Sequence, residues 1–238
     1  HQVNLAVITG SRADYGLLEW PIKLLREDPF FAVAEVRIWD HTPAQALQAV
    51  GDYLNEARPH MMLVLGDRFA LMAAAMAAHL RRIPIAHIGG GDVTEGSYDD
   101  AMRDCISRMA TLHFVTSGEA ERRIKQTLGY HWFGGDMYPC EFELANVHLV
   151  GNPAIDYIRN ADWQKPPTHT APYVVVSYQA ETIDGTVDLD AVNKAIAGRN
   201  AIWVKPNPDA GNEKIFAVNS YSHADFLNLL VYCEEFIG

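Results

Sequence analysis

The chain has 238 residues, 49% of them hydrophobic and 21% charged, which is typical of a globular protein with one large or two modest domains. No run of about 18 apolar residues is present to span a bilayer, and no basic-then-apolar leader follows His1, so we expect neither a membrane nor a secreted protein. The net charge of −11, without a basic cluster, argues against binding nucleic acid or anionic membranes. The three cysteines are far apart and lack C-x-x-C spacing, so we expect no disulfide or zinc site and a cytoplasmic protein.

Short apolar runs alternate with segments of helical period through the first two thirds of the chain, as in parallel sheets with crossover helices. The predicted strands are VNLAVIT, VAEVRIW, HMMLVLG, IPIAHIG, TLHFVTS and VHLVG. The predicted helices cover residues 15–26, 43–56, 71–80, 99–110 and 119–128, the second with Thr42 as its N-cap. The sequence therefore predicts an α/β protein with a doubly wound sheet, whose ligands bind at the carboxyl ends of the strands.

A change of composition divides the chain. Residues 163–172 (WQKPPTHTAP) are rich in proline and threonine and predict a linker between a first domain, 1–162, and a second, 173–238. The second domain repeats the pattern with strands YVVVSYQ, AIWVK and EEFIG and helices over 189–197 and 225–230. This series has too few strands for a complete doubly wound domain. We therefore expect two nucleotide-type domains across a cleft, the second one partial.

Charged residues follow three predicted strands. Arg12 comes after a Gly-Ser turn at a predicted helix N-terminus, where free N–H groups and the helix dipole favour an anion, so it is a candidate phosphate ligand. The alternative is a surface ion pair of Arg12 with Asp14 or Glu19. Asp67 ends the most apolar strand, and it is predicted either to belong to a site or to cap the helix that follows.

The stretch HIGGGDVTEGSYDDAMRD (residues 87–104) holds five carboxylates beyond three glycines. Ser97 and Asp100 match a capping box, which predicts that Asp100 starts a helix, and the helix dipole accounts in part for Asp99. Asp92 and Glu95 lie in a glycine-bounded loop whose backbone is able to approach a ligand closely. Grouped carboxylates suit general acid–base chemistry, and a divalent metal site ranks second because no ligand spacing defines a cage.

Several familiar motifs are absent. The sequence contains no G-x-G-x-x-G, no G-x-x-x-x-G-K-[ST] and no G-x-S-x-G, so dinucleotide binding, a P-loop and a hydrolase nucleophile elbow are not supported. His87 and His113 lie inside apolar strands and are predicted to be core residues with satisfied ring nitrogens. Trp132, Phe133 and Met137 are predicted to form a lid, an oligomer contact or a loop packed on its own domain, and we expect a homo-oligomer.

The motifs ITGSRADYGLL, VLGDRFALMAAA, IPIAHIGGGDVTEGSYDDAMRD, HFVTS, VGNPAID and KPNPDAG occur in the order found in one enzyme family. In this respect the sequence resembles the hydrolysing UDP-N-acetylglucosamine 2-epimerases, including their UDP-N,N'-diacetylbacillosamine sister group. The resemblance implies two Rossmann-like domains of glycosyltransferase-B type with a UDP-sugar between them. It also implies elimination of UDP, hydration with inversion at C2, and release of N-acetylmannosamine for sialic-acid-type synthesis, with no NAD and no required metal.

The resemblance also implies roles for particular residues. Arg12 would contact the nucleotide phosphates, Arg103 would orient the carboxylates, and Asn207 and Asp209 would line the UDP side. The candidate acids and bases are Asp67, Asp92, Glu95 and Asp99. Gln179 is placed in the substrate-binding set, at the turn where the family has His-Pro-x-Thr.

Three departures from the family pattern motivate an alternative. Gly89 stands where family members often have Glu, Asp104 where they usually have His, and Gln179 in place of the His-Pro turn. The alternatives to the N-acetylglucosamine enzyme are therefore the diacetylbacillosamine enzyme and a catalytically impaired UDP-sugar-binding protein.

Overall fold

The structure is a computed structural model, and it describes residues 2–128, 130–133, 136–139, 146–160, 169, 172–178, 188–206, 215 and 221–237. The chain divides into two compact units. The first unit comprises His1–Thr94 and Asp99–Asn160, and the second comprises Glu95–Tyr98 and Ala161–Gly238. Most of the predicted linker, residues 163–168 and 170–171, lies outside the described residues.

The first unit is built around a six-stranded parallel sheet. The strands of this sheet are β1 (Val3–Thr9), β2 (Phe31–Arg37), β3 (Met61–Leu65), β4 (Ile85–Ile88), β5 (Leu112–Val115) and β8 (Val147–Leu149). Strands β6 (Tyr130–Phe133) and β7 (Asp136–Pro139) form a separate antiparallel pair. The spatial order is β2-β1-β3-β4-β5-β8, so the direction of winding reverses between β1 and β3. Such a switch point opens a crevice at the carboxyl ends of these two strands.

Among the described residues, five helices lie between strands of this unit and a sixth follows β8, the last strand of the sheet. They are α1 (Arg12–Glu27), α2 (Pro43–Ala57), α3 (Phe69–Leu80), α4 (Asp100–Met109), α5 (Gly118–Leu128) and α6 (Pro153–Asn160). Helix α2 begins with the predicted N-cap, since Thr42 and Gln45 form a reciprocal capping box. Helix α1 begins three residues before the predicted start because Ser11 accepts a hydrogen bond from the N–H of Asp14 and acts as the N-cap.

Both faces of the sheet are covered. Along β1, Ala6 and Ile8 belong to a buried cluster that includes residues of α2 and α3, whereas Leu5 and Val7 belong to another that includes residues of α1. Successive side chains of a strand point to opposite faces, so this alternation follows from the strand itself. The apolar runs of β1, β3 and β4 are therefore buried on both sides, as is typical of parallel sheets, whereas β2 and β8 at the edges are less buried.

The second unit contains a parallel three-stranded sheet in the order β10-β9-β11. Its elements are β9 (Val174–Val176), α7 (Leu189–Ala195), β10 (Ala201–Trp203), α8 (His223–Tyr232) and β11 (Glu235–Ile237). Its core includes Tyr173, whose hydroxyl donates to the Leu229 carbonyl, together with Val175 and Ile202. The predicted α/β pattern is thus present in both units, and no helix in the described ranges is long and apolar enough to cross a membrane.

Three local features differ from the predictions. No helix is predicted for residues 153–160, which form α6. The segment containing Trp132, Phe133 and Met137, predicted to form a lid, an oligomer contact or a loop packed on its own domain, contains the antiparallel strand pair β6–β7. The predicted Ser97–Asp100 capping box is wrong, because the N-cap of α4 is Asp99, which makes no side-chain capping bond. Asp100 does start the helix, as predicted, but its carboxylate accepts from the N–H of Thr94 instead.

We predict that Gly91→Ala destabilises the first unit by about 3 kcal/mol, because a Cβ atom at this position would collide with the Ala120 carbonyl and because φ is +78°. Chemical denaturation of both proteins measures the difference in free energy of unfolding. Gly118→Ala is the matched control, since a Cβ there meets nothing within 4 Å. Equal losses in the two variants would contradict the role assigned to Gly91.

Candidate functional site

The carboxyl ends of β1, β3 and β4 and the first turn of α4 carry several of the residues singled out from the sequence. Arg12 is the first residue of α1 and is exposed, directly after the Ser11 N-cap that follows β1. Asp67 follows β3, and Asp92 follows the glycines after β4. The first turn of α4 then contributes Asp100 and Arg103.

Arg103 is the centre of this cluster. Its guanidinium group is buried, with 7% of the side chain exposed, and it forms an ion pair through Nη2 with the Asp67 carboxylate. Nη1 donates to Asp100 Oδ1 at 2.6 Å and to the Asp92 carbonyl oxygen at 2.5 Å, and Nη2 also donates to Thr94 Oγ1 at 3.2 Å. One side chain thus fixes residues that follow β3 and β4, which suits the planar fork of arginine donors.

Asp67 has an unusual electrostatic position. Burial raises the pKa of its carboxyl group above the usual value, and the neighbouring Asp100 adds to this, whereas Arg103 opposes it. The alternative interpretation of Asp67 as the N-cap of α3 is wrong, because that N-cap is Arg68 and it makes no side-chain capping bond. Asp67 is therefore a partly buried acid held against a buried cation.

Asp92 is held at both its backbone and its side chain. Its carbonyl accepts from Arg103, and its Oδ1 accepts a hydrogen bond from the Thr116 hydroxyl at 2.5 Å. Thr116 follows β5, so this bond joins the ends of two neighbouring strands. Among the described residues, no hydrogen bond involves the second oxygen of this carboxylate, Oδ2. A Cβ on Gly89 would lie 3.6 Å from that oxygen.

The other predicted carboxylates are placed differently. Asp99 immediately precedes α4 and is partly exposed. Glu95 is exposed and belongs to the second unit. Asp104 is exposed one residue after Arg103 on α4. The described residues include no group of three or more His, Cys, Asp or Glu side chains able to hold a metal ion.

Two of the three consecutive glycines are required by packing within the first unit. A Cβ on Gly90 would lie 2.7 Å from Ser107 Oγ and 3.1 Å from His87 Nδ1, and one on Gly91 would collide with the Ala120 carbonyl. The Gly91 carbonyl oxygen also accepts from Arg123 Nη1 at 2.8 Å. The sequence-based explanation, close approach of a ligand to this backbone, is therefore unnecessary for these two positions.

Asp14 is also a member of the site. From the sequence it is considered only as a surface ion-pair partner of Arg12. The residue is buried, and its Oδ2 accepts from the Gly10 N–H at 2.9 Å. Burial raises the pKa of Asp14 to about 6, against the lowering effects of Ser11, Arg68 and Gly10, and Asp67 raises it further. The signal was present in the sequence, because Ser11 and Asp14 have capping-box spacing.

The two strand histidines differ in their hydrogen bonds. His87 is fully buried, with Nδ1 3.0 Å from Ser107 Oγ and Nε2 2.8 Å from the Gly66 carbonyl oxygen, as predicted for a satisfied core residue. His113 is also buried, but its Nδ1 has no partner among the described residues, so that prediction is wrong for this nitrogen. Burial lowers the pKa of each ring to about 4, so both are neutral at pH 7.

Two members of the cluster, Thr94 and Thr116, were missed because lone threonines in loops carry no distinctive sequence signal. Thr116 directly follows β5 and Thr94 lies in the loop after β4, and these positions are the only hint that the sequence offers. Gln179, predicted to bind substrate, and Asn207 and Asp209, predicted for the UDP side, lie outside the described residues.

We predict that Asp14→Asn removes a pH-dependent loss of stability. The folded pKa of about 6 exceeds the usual value of 3.8, so the folded chain binds a proton that the unfolded chain has released, and the Asp14 contribution to stability falls as pH rises from about 4 to 6. Denaturation at pH 4 to 7 should show the variant gaining on the native protein by up to about 3 kcal/mol, at about 1.4 kcal/mol per pKa unit.

His87 and His113 have the opposite effect, because their neutral folded forms lose stability as pH falls through 6.5 toward 4. Both proteins contain these histidines, so the difference between them isolates Asp14. Asp52→Asn, at an exposed position on α2, is the control for loss of one negative charge. A difference that stays constant from pH 4 to 7 would show that Asp14 is not the titrating group.

Comparison with known proteins relates this site to one family. The model of the UDP-N-acetylglucosamine 2-epimerase family matches residues 29–236. The polysialic acid biosynthesis protein P7 of Escherichia coli is 27% identical over 160 residues, which are 52% of this chain and 41% of the relative. The GDP/UDP-N,N'-diacetylbacillosamine 2-epimerase (hydrolyzing) of Campylobacter jejuni is 37% identical over 81 residues, which are 34% of this chain and 21% of the relative. The chain thus spans less than half the length of these curated relatives.

The fold is also similar to solved structures. The S. aureus MnaA-UDP co-structure matches with a TM-score of 0.76 at 15% identity, covering 99% of this chain and 74% of that one. At this identity the likeness concerns the fold alone, and it confirms the predicted α/β class of glycosyltransferase-B type. With a family model that covers most of the sequence, the chain belongs to the UDP-N-acetylglucosamine 2-epimerase family.

Proposed function

We propose that this chain provides the catalytic carboxylates of a hydrolysing UDP-N-acetylglucosamine 2-epimerase. In the proposed reaction a base removes the proton from C2 of the sugar while the bond between C1 and the diphosphate oxygen breaks, giving UDP and a glycal. Water then adds its oxygen at C1, and a proton returns to C2 on the opposite face. The net change is UDP-N-acetylglucosamine plus water to UDP plus N-acetylmannosamine.

The observation that carries this proposal is the buried Arg103, which forms ion pairs with Asp67 beyond β3 and Asp100 on α4 and donates to the backbone carbonyl of Asp92 beyond β4. Proton removal from C2, the carbon that bears the acetamido group, needs a base that is partly desolvated and rigidly held. Asp67 meets both requirements, because burial raises its pKa while Arg103 fixes its position. Asp92, tied to Thr116, supplies a second carboxylate that belongs to the same hydrogen-bonded cluster.

The leaving diphosphate needs positive charge and hydrogen-bond donors. Arg12 stands at the N-terminus of α1, where the free N–H groups and the helix dipole favour an anion. Asp14, with a pKa of about 6, belongs to the same turn, so an acid able to hold a proton near neutral pH adjoins the proposed phosphate position. Glu95 and Asp99 stay candidate acids or bases, and Gln179, Asn207 and Asp209 stay candidate ligands of the nucleotide.

A second candidate substrate is UDP-N,N'-diacetylbacillosamine. The relative named for that sugar has the higher identity of the two curated relatives compared above, although over the shorter segment. Gly89 also leaves no side chain next to the Oδ2 atom of Asp92. Both sugars undergo the same elimination and hydration, so a parallel assay of the two distinguishes the candidates.

We predict that the full chain releases UDP from one of these sugars, and that Asp67→Asn and Asp92→Asn each lower kcat at least about 100-fold. Each change keeps the shape of the side chain and removes its ability to carry a proton. A coupled assay measures UDP release, and NMR identifies the sugar. In heavy water the product should carry deuterium at C2, because the proton returned there comes from solvent.

Asp52→Asn is the matched control, since this exposed residue on α2 bonds only to Gln48 among the described residues and should keep native activity. Circular dichroism establishes that each variant is folded. If the full chain hydrolyses neither sugar, the epimerase proposal is wrong. Calorimetry showing UDP binding without turnover would then favour the catalytically impaired UDP-sugar-binding protein.

A further inference from the structure

The core residue His87 is hydrogen-bonded to Gly66, the residue directly before the candidate acid Asp67. A role in the core alone does not explain this contact. The Gly66 carbonyl oxygen can only accept, so the ring Nε2–H donates to it at 2.8 Å, and the ring is neutral with Nδ1 unprotonated. The Ser107 hydroxyl then donates to Nδ1 at 3.0 Å. The ring therefore joins the residue before Asp67 to a residue on α4.

These two attachment points adjoin the two partners of the buried ion pair. Gly66 directly precedes Asp67, and Ser107 lies one helical turn after Arg103 on α4. The Gly66 N–H also donates to the carbonyl oxygen of Ile88, the residue after His87, at 3.0 Å. Both polar backbone groups of Gly66 are thus held by β4, in a conformation with φ of +86°.

The neighbouring glycine supports this arrangement independently. A Cβ on residue 90 would lie 2.7 Å from Ser107 Oγ and 3.1 Å from His87 Nδ1, so only glycine leaves room for the two groups to meet. Glycine at position 90, in the loop beyond β4, therefore leaves the space in which His87 and Ser107 contact each other.

We propose that His87 is a positioning residue for the reaction, which fixes the Asp67 carboxylate against Arg103 by holding the Gly66 carbonyl and Ser107 at the same time. This inference rests on the proposed function, because it assigns the geometry of a candidate acid or base. A shift of about 1 Å in a reacting group is enough to lower a rate by about 100-fold.

Two amide substitutions separate the two bonds of the ring. In His87→Asn the amide stands near the Nδ1 position and keeps the contact with Ser107, whereas in His87→Gln it reaches the Nε2 position and keeps the bond to Gly66. We expect His87→Asn to lower kcat about 10- to 100-fold with little change in KM, and His87→Gln to retain most of the activity.

The titration of Asp67, followed by NMR of carboxyl-labelled aspartates and assigned with Asp67→Asn, provides a readout that does not depend on turnover. Arg103 lowers the Asp67 pKa, while burial and the neighbouring Asp100 raise it, and Arg68 also lowers it. If the ion pair is looser, Arg103 opposes the effect of burial on the Asp67 pKa less strongly. The Asp67 titration should therefore move to higher pH in His87→Asn and stay near the native position in His87→Gln.

His113→Asn is the matched control, because His113 is paired with His87 across β4 and β5, is buried and has a similarly lowered pKa. It should cost stability and leave the Asp67 titration unchanged. If His87→Asn does not fold, His87→Leu is measured instead, and it should move the titration in the same direction because it also lacks the bond to the Gly66 carbonyl.

The proposal is overturned if the Asp67 titration of His87→Asn, or of His87→Leu where that replaces it, matches the native protein. It is also overturned if His113→Asn or His87→Gln shifts the titration as far as His87→Asn. A chain that is inactive toward both sugars but shows the expected titration shifts would refute the proposed function and support the role of His87.

Discussion

The organisation of the site depends on placing one guanidinium group, that of Arg103, inside the protein among carboxylates that follow separate strands. A buried cation without partners costs several kcal/mol, so the surrounding chain must supply acceptors with good geometry. Asp67, Asp100, Thr94 and the Asp92 carbonyl supply them. The loops beyond β3 and β4 are therefore fixed relative to α4 by electrostatics as well as by apolar packing. Loss of this cation would leave Asp67 and Asp100 uncompensated at the same edge of the sheet.

The glycines around this cluster have a structural explanation that changes how the loop is understood. Gly90 and Gly91 are small because Ser107, His87 and Ala120 occupy the space that a side chain would need. A loop packed this closely onto α4 and α5 is held in place before any ligand arrives. Such preorganisation is what acid–base catalysis requires, since charged groups that need not rearrange stabilise a transition state most effectively.

Family membership and site geometry support the same chemistry on different grounds. The family match rests on the sequence over residues 29–236. The geometry rests on a desolvated acid, Asp67, a buried cation, and a helix N-terminus at Arg12 that follows β1. The chain covers less than half of the length of the compared curated relatives. The proposed activity therefore refers to the full protein. The neutral, doubly bonded His87 adds a link between the core of the sheet and its reactive edge.

The sequence by itself determined the α/β class, nearly all of the described strands and helices, and the strand ends where the candidate residues lie. Apolar period and capping residues are local properties, and they agree with the fold at β1 and at α2. The β6–β7 hairpin escaped prediction because its aromatic and glycine residues fit a loop as well as a strand pair.

Only the tertiary structure decided which charged residues meet. Asp67 and Arg103 are 36 positions apart in the chain, and nothing in their local sequence shows that they form a buried ion pair. Their contact, like that of Thr116 with Asp92, exists because parallel strands bring their carboxyl ends to one edge. Burial, which raises the pKa of Asp14 and lowers that of His87, is likewise set by neighbours distant in sequence. The sequence pattern therefore predicted the edge of the sheet at which the site lies. Tertiary packing determined which residues contact one another there and how their pKa values shift.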